Sequence, residues 1–243
     1  MFHDSYRAFA RTQLSLSATL IPRPQNVRLN AMFGHPEFDL FEAIYTTRSM
    51  RRLKPDPVPR ELVMRVIEAA TLGPSGSNRQ PWIFIVVTEP ATKEFVAERY
   101  KRAWDTYYLT PEKRAVMEAQ PDSPGGKTLK SANYLANHLA EAPVLIFPCV
   151  KRYTDERHLG QPMYGAIYPA VQNLCLAARG YGLGTSITGL HHIFGEEVDE
   201  LLGVPPTHVN EILVPMGYPK GRWGRPARKA AADVTYFERW GKR

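Results

Sequence analysis

The stretch Gly73-Pro-Ser-Gly-Ser-Asn-Arg-Gln-Pro-Trp-Ile-Phe-Ile-Val-Val-Thr88 joins a loop of small and polar residues directly to a continuous apolar run. The run over residues 82–88 is β-branched and aromatic and predicts a strand buried on both faces. Glycines in the loop let a ligand approach the backbone, and Asn78 and Gln80 offer amide donors and acceptors. A plain connecting loop explains Gly and Ser, but it does not require Asn, Gln, Pro and Trp within a few positions. We therefore interpret this segment as a candidate binding loop.

Outward from this strand, helix-like and β-prone segments alternate along the chain. Helices are predicted over residues 37–45, from Pro59 to Gly73, and over 91–140, 164–179 and 196–202, with breaks in the 91–140 stretch near Thr110-Pro111 and 121–126. Further strands are predicted over 143–150 and 211–216. Strands separated by helices indicate one α/β-type domain.

The composition is that of a folded domain. Of the 243 residues 44% are hydrophobic and 23% charged, which excludes a disordered chain. Residues 1–35 show weak periodicity, so we expect a poorly ordered N-terminal extension before a domain over 36–243. The longest apolar run, 142–150, is too short to cross a membrane. The two cysteines, Cys149 and Cys175, lie in apolar surroundings and predict buried free thiols, so we expect a cytoplasmic location.

The positive charge is concentrated in two segments. Lys and Arg number 31 and Asp and Glu 24, a formal net charge of +7. Residues 48–54 contain four basic residues and no acidic one, and residues 218–243 contain eight basic and two acidic residues. A charge run is usually a solvated surface, and clustered cations also suit nucleic acid. In Arg48-Ser49-x-Arg51, however, a hydroxyl alternates with guanidinium groups, which suits a phosphate ester.

The sequence does not support three other kinds of site: a dinucleotide-binding turn, a nucleophile elbow and a metal site. Gly180-Tyr-Gly-Leu-Gly184 follows a helix and precedes a β-prone stretch, the reverse of a dinucleotide-binding turn. The sequence lacks a G-x-S-x-G nucleophile elbow. The adjacent pair His191-His192 has no second ligand cluster nearby, which makes a metal site a minority interpretation. We predict neither a catalytic nucleophile nor a metal ligand.

The remaining motifs occur together in the order typical of one family. The chain resembles the FMN-dependent nitroreductase family from about residue 37 to its C-terminus. The motifs that carry the resemblance are Arg48-Ser-Met-Arg51, Pro74-Ser-Gly-Ser-Asn-Arg-Gln-Pro-Trp82, Gln172-Asn-Leu-Cys-Leu-Ala-Ala178 with Gly182-Leu-Gly-Thr185, and Gly217-Tyr-Pro219 with Arg228-Lys229. Two positions depart from the pattern: Thr47 stands where many relatives have an arginine, and Ala230 replaces a proline.

The resemblance implies an α+β fold with a central, mainly antiparallel sheet flanked by helices, assembled as an intertwined homodimer. It also implies FMN as cofactor, NADH or NADPH as hydride donor, and ping-pong reduction of an electron-poor small molecule such as a nitroaromatic or a quinone. The flavin would carry the chemistry, so no catalytic side chain is implied. The residues implied to bind FMN are Arg48, Ser49, Arg51, Pro74, Ser75, Gly76, Asn78, Thr188, Gly189 and Arg228, with Ser75–Asn78 contributed by the other subunit and Thr188 and Gly189 presenting backbone donors near N5 and O4.

Several alternatives stay open at this stage. Arg225 and Lys229 are neighbours of Arg228 that could hold the phosphate instead. Residues 95–135 could form a substrate lid, with Trp104, Tyr107 and Tyr108 facing the substrate, or a plain peripheral helical pair. The Pro-Ser-Gly sequence also resembles iodotyrosine deiodinases, which reductively dehalogenate, and a flavin-consuming relative is a third possibility. We expect neither a nucleic acid nor a membrane as partner; a nucleic-acid-binding protein would give a colourless preparation.

Overall fold

The structure is a computed structural model, and it describes residues 38–154 and 158–242. The extension predicted over residues 1–35 lies outside the described residues. The helices of the described part are α1 Leu40–Thr46, α2 Arg60–Thr71, α3 Pro90–Ala103, α4 Pro111–Ala119, α5 Pro124–His138, α6 Tyr164–Gly180 and α7 Gly195–Leu202. Its strands are β1 Trp82–Val87, β2 Val144–Lys151, β3 Gly184–Thr185, β4 His208–Asn210 and β5 Val214–Gly217.

Every strand pairing in the described sheet is antiparallel. The order is β1-β2-β5-β3, and β4 also pairs with β2. Strand β2 is central: Val144 pairs with Met216 of β5, and Cys149 pairs with Asn210 of β4 further along the same edge. The α+β fold with an antiparallel sheet is confirmed. The α/β-type domain indicated by the alternation of strands and helices was wrong, because alternation along the chain carries no information on strand direction.

The two faces of β2 belong to two different cores. Ile146 packs with residues of α2 and α6, such as Val66 and Leu174. Phe147, on the opposite face, packs with residues of α3 and α5, such as Val96 and Leu135. Since successive side chains of a strand point to opposite faces, this double burial explains why β2 is apolar without interruption.

Strand β1 differs from the prediction. It lies at the edge of the sheet, and both of its faces are only partly covered. Trp82 and Phe84 pack in the first core and Ile85 and Val87 in the second, whereas Ile83 is 52% and Val86 38% exposed. The expected burial on both faces is therefore incomplete. An apolar run of this length is compatible with either position, because sequence periodicity cannot tell an edge strand from a central one.

Prolines and capping side chains fix the predicted helix breaks. Helices α3, α4 and α5 each begin with a proline, where the missing N–H is not needed. The side chains of Glu89, Thr110 and Ser123 accept hydrogen bonds from the first turns of these helices. None of the described helices is both long enough and apolar enough to span a bilayer.

Candidate functional site

The segment that carries Arg48 and Arg51 is bound to the sheet through its backbone. The Met50 N–H donates to the Thr185 carbonyl at 2.8 Å. The Lys54 N–H donates to the Tyr218 carbonyl at 2.7 Å, and the Lys220 N–H returns a bond to the Arg52 carbonyl at 2.9 Å. These contacts bring two of the sequence motifs, Arg-Ser-Met-Arg and Gly-Tyr-Pro, side by side at one end of β3 and β5.

A glycine permits this close approach. A Cβ atom built on Gly184 would lie 2.8 Å from the Met50 Cβ and 3.2 Å from the Leu53 Cδ2. Met50 and Leu53 are themselves buried. Because a Cβ contact shorter than 3.0 Å requires the neighbours to move, Gly184 is needed for the arginine segment to lie against β3.

A cavity of about 510 Å³ opens beside this segment. It brings together Arg48, Ser49 and Arg228 of the predicted site, and it adds Arg225. The other lining residues are Ile44, Tyr45, Thr47, Gln172, Cys175, Thr185, Ile187 and Pro226. Of the described lining residues none is acidic, so three guanidinium groups share this wall without a carboxylate from the described part of the chain. Such a donor set fits a phosphate ester.

The three arginines of the cavity make few contacts of their own. Arg48 Nη2 donates to the Arg222 carbonyl at 2.7 Å, and Arg228 Nη1 donates to the adjacent Ala227 carbonyl at 2.8 Å. The Arg225 guanidinium lies 4.5 Å from the centre of the Tyr45 ring. Toward the described residues, each therefore leaves N–H donors unused, since a guanidinium carries five.

Arg51 is not among the residues that line this cavity, and it is half-buried near aromatic side chains. Burial lowers its pKa from the ordinary value, while the nearby Tyr100 and Tyr108 hydroxyls act in the opposite direction. Within the described part of the chain, no carboxylate lies within ion-pair distance of Arg51. A partly desolvated cation without a counter-charge is suited to an anionic ligand edge.

Tyr100 links Arg51 to another predicted site residue. Its hydroxyl forms a hydrogen bond of 2.9 Å with the Thr188 Oγ1, and the ring is only 4% exposed. Burial raises the pKa of Tyr100, so the neutral phenol is the form present at neutral pH. Tyr100 was not selected from the sequence, where it is one aromatic residue in a charged helix.

The segment with Thr188 and Gly189 is anchored on its other side by the histidine pair. The Thr188 N–H donates to the Leu213 carbonyl at 3.0 Å. A Cβ on Gly189 would lie 3.4 Å from the His192 ring, which stacks on the His191 ring with centroids 4.4 Å apart. Burial lowers the pKa of His191 to about 4. Neither ring takes part in a group of three or more His, Cys, Asp or Glu side chains able to hold a metal, of which the described residues contain none.

The loop after α2 lies outside the lining of the arginine cavity. Pro74, Ser75, Gly76 and Asn78 do not line the arginine cavity of their own chain. The loop is strained, with positive φ at Ser77, Asn78 and Gln80, and it is held by a 3.0 Å hydrogen bond from the Gln80 N–H to the Ser75 Oγ. Non-glycine residues in this region are uncommon and concentrate at functional sites. That residues 75–78 serve the site of a second subunit stays a prediction.

The proposed lid is only partly accessible. The segment Trp104–Tyr108 is a single π-helical turn, a feature often found at functional sites. Trp104 is 2% exposed and donates through Nε1 to the Asn133 Oδ1 at 2.9 Å, so it belongs to the core rather than to a substrate-facing surface. Tyr107 and Tyr108 are exposed.

Arg179 is a residue of this region that the sequence does not reveal. It is buried near the end of α6, where Nη2 pairs with the Glu42 carboxylate at 3.1 Å. Its guanidinium lies 4.4 Å from the Phe38 ring centre and 4.2 Å from that of Trp223. It thus fixes α1 and the segment after β5, which together supply five of the twelve residues that line the cavity.

The two cysteines are free and buried, as predicted. Burial raises the pKa of Cys149 to about 12 and that of Cys175 to about 11. Both are therefore neutral thiols near neutral pH, and neither is an activated nucleophile.

Comparison with known proteins identifies a family. The family model described as "Nitroreductase family" matches residues 44–218. Iodotyrosine deiodinase 1 of Rattus norvegicus is 31% identical over 186 residues, which cover 74% of this chain and 62% of the deiodinase. A protein of Thermus thermophilus named NADH dehydrogenase is 29% identical over 199 residues, 76% of this chain and 88% of that protein.

A solved structure shows the same fold. The FMN-dependent nitroreductase NfnB from Mycobacterium smegmatis, solved in complex with NADPH, matches with a TM-score of 0.60 and 24% identity, covering 83% of this chain and 100% of that chain. The chain belongs to the nitroreductase family. This membership supports an oxidoreductase. The match spans less than two thirds of the deiodinase, so that relative's activity does not transfer directly.

Proposed function

We propose that the chain is an FMN-dependent oxidoreductase that takes hydride from NADH or NADPH and reduces an electron-poor small molecule, such as a nitroaromatic or a quinone, with ping-pong kinetics. The observation that carries the proposal is the acid-free cavity lined by Arg48, Arg225 and Arg228, with Arg51 half-buried at the same segment. Family membership and the FMN-dependent structural neighbour support the identity of the cofactor.

The residues of the cavity fit the phosphate end of FMN. Arg48 and Arg228 would donate to the phosphate, and Ser49 lies between Arg48 and the buried Met50, where its hydroxyl lines the same wall. Arg225 lines the cavity as well, whereas Lys229 does not. Many relatives carry an arginine at the position of Thr47. We propose that Arg225 supplies the positive charge that is missing there.

Arg51, Thr188 and Gly189 would hold the flavin ring. FMN, when bound, supplies a ring that accepts a hydride from a nicotinamide and passes it to an oxidised substrate. Arg51 would place a positive charge beside the ring; for scale, two opposite unit charges 4 Å apart at an effective dielectric constant of 20 attract each other by about 4 kcal/mol. Tyr100 holds the Thr188 hydroxyl in place, and the pairing of Thr188 with Leu213 fixes the backbone beside it.

A homodimer would complete the site. Pro74, Ser75, Gly76 and Asn78 would then line the flavin of the partner. In support, α1 presents a row of exposed apolar side chains: Leu40 is 60%, Phe41 61% and Ile44 46% exposed. A surface of this kind is typical of an interface with another chain.

The buried thiols and the arginine cavity also bear on the location and the partners of the protein. Free, buried thiols are typical of a reducing compartment, so we propose a cytoplasmic location. A cavity that fits one phosphate ester also favours a bound small molecule over a nucleic acid as the anion that the basic segments recognise.

The first experiment is an absorption spectrum of the purified protein. The proposal expects an oxidised flavin spectrum that NADH or NADPH bleaches under anaerobic conditions, followed by recovery of the colour on addition of a nitroaromatic or quinone. Protein reconstituted with FMN that neither nicotinamide bleaches would refute the reductase.

A second candidate is a reductive dehalogenase of the iodotyrosine deiodinase type. The identity of 31% with the rat deiodinase favours it. The two functions are separated by incubating reduced protein with 3-iodotyrosine and measuring iodide. Stoichiometric iodide release, without bleaching by NADH or NADPH, would replace the reductase with this alternative.

A further inference from the structure

A second basic cleft lies at a different place in the fold from the arginine cavity. It has a volume of about 580 Å³ and sits where β1 begins, β2 ends and β4 begins. The sheet register brings two of its basic residues together, because Lys151 of β2 pairs directly with His208 of β4. The lining residues that matter below are Arg79, Gln80, Ile83, Lys151, Met163 and His208.

Among the described residues, no acidic side chain lines this cleft. The described lining contains Arg79, Lys151 and His208. Of the described residues, none places a carboxylate within ion-pair distance of Arg79 or Lys151. The Arg79 guanidinium lies 5.9 Å from the centre of the Tyr153 ring, a distant contact. Like charges gathered without a counter-charge favour binding of an anion.

The loop that presents Arg79 is held in one conformation. The Arg79 N–H donates to the Gly76 carbonyl at 3.2 Å, and the following Gln80 N–H donates to the Ser75 Oγ at 3.0 Å. Positive φ values at Asn78 and Gln80, on both sides of Arg79, set the direction of the chain at this point. A backbone that is fixed before a ligand arrives loses less entropy on binding.

The wall of the cleft is apolar as well as basic. Ile83 is 52% exposed, and Met163 is partly buried against the core beneath. A cleft of several hundred Å³ with an apolar wall and a few fixed polar groups is typical of a small-molecule site. Cations above an apolar wall suit a ligand that joins a phosphate to a flat ring.

We propose that this cleft binds the adenosine end of NADPH, with Arg79 and Lys151 on the 2′-phosphate. The inference rests on the proposed function for the identity of the donor. The inference goes beyond the proposed function in choosing NADPH over NADH, because of the two donors only NADPH carries the dianionic 2′-phosphate. The loop links the two sites: residues 75–78 are predicted to line the flavin of a partner subunit, and Arg79 is the next residue along the chain.

Direct binding tests the cleft independently of turnover. The FMN-loaded protein is titrated calorimetrically with 2′,5′-ADP, with 5′-AMP and with inorganic phosphate. We expect 2′,5′-ADP to bind most tightly, and Arg79→Gln and Lys151→Gln each to weaken it roughly tenfold or more, since a hydrogen bond to a charged group is lost. Arg114→Gln, at an exposed arginine of α4 outside the cleft, is the matched control and should bind as the unsubstituted protein does.

Each contrary outcome has a distinct meaning. Equal affinity for 2′,5′-ADP and 5′-AMP, or no change in either cleft variant, would overturn the 2′-phosphate assignment. Binding of inorganic phosphate as tightly as 2′,5′-ADP would overturn the nucleotide.

Steady-state kinetics then connect the cleft to the reaction. The cleft variants should raise the KM for NADPH roughly tenfold and leave the KM for NADH and the flavin spectrum unchanged. An equal rise for both donors would overturn the proposal. A protein that binds 2′,5′-ADP but shows no flavin would instead count against the FMN oxidoreductase, so the two failures are distinguishable.

Discussion

Gly217 offers the sharpest test of how the fold positions the arginine segment. A Cβ atom added at this buried glycine of β5 would lie 2.7 Å from both the Cγ and the Cδ of Pro143. Carbon atoms in ordinary contact are about 3.5–4.0 Å apart, so the overlap is about 1 Å and falls on a rigid ring. We expect Gly217→Ala to cost about 1–3 kcal/mol of unfolding free energy, the usual cost of overpacking a core.

Pro143, which the new Cβ atom would meet, allows the prediction to be tested by a double-mutant cycle. Pro143→Ala removes the two ring carbons that the new methyl group would meet. By itself it should cost about 1–2.5 kcal/mol, from two lost methylene groups at about 0.8 kcal/mol each and the greater entropy of the unfolded chain. In the Pro143→Ala background, however, Gly217→Ala should cost under about 0.5 kcal/mol, because the nearest remaining atom is the Lys54 carbonyl oxygen at 3.5 Å.

The measurement is equilibrium urea denaturation of the four proteins at one protein concentration and equal FMN content. Gly217→Ala alone should also lower Tm by roughly 2–12 °C, at 2–4 °C per kcal/mol for a chain of this size. Additive free energies in the double variant would refute the steric reasoning, since residues in contact are expected to couple by about 0.5–3 kcal/mol. The Gly-Tyr-Pro motif would then require its glycine for another reason.

Three further outcomes are expected. Arg228→Ala should weaken FMN binding roughly tenfold or more in a fluorescence titration, while Lys229→Ala, outside the cavity lining, leaves it unchanged; equal losses would show that the phosphate is not held by Arg228. Tyr108→Ala should change KM or kcat for the oxidised substrate, and unaltered constants for every reducible substrate would end the lid hypothesis. Cys149 and Cys175, with pKa values raised to about 12 and 11, should resist a thiol reagent at pH 8 in the native protein and react after unfolding; rapid native reaction would contradict their burial.

Local signals predicted the helices well and the sheet less well. Capping side chains and prolines act within one turn, so breaks near Thr110 and Ser123 are readable from the sequence. Strand direction and edge position depend on segments far apart in the chain, which is why the exposure of Ile83 and Val86 in β1 was not predicted. Strand β4, His208–Asn210, was not predicted, because three residues after a Pro-Pro pair carry no periodicity.

Some residues of the candidate site were predicted from local motifs, and others were not. Arg48, Ser49 and Arg228 were selected from motifs, and the structure brings them to one cavity. Arg179 was not selected, since its role depends on rings from Phe38 and Trp223, which only the fold brings together. Tyr100 was not selected for the same reason: a hydrogen bond to Thr188 across 88 positions leaves no local signal.

The distribution of charge can now be explained by how the chain is folded. The backbone bonds Lys54 to Tyr218 and Arg52 to Lys220 draw the two most basic segments of a +7 chain together, although like charges repel. Such an arrangement is costly in the free protein and becomes favourable when an anion binds between the segments. By mass action, a ligand at one hundred times its dissociation constant stabilises the fold by about 2.7 kcal/mol, which can offset repulsion of this kind. A nucleic acid would meet these cations on an open face, whereas Arg48, Arg225 and Arg228 line a cavity of about 510 Å³, a size suited to one phosphorylated small molecule.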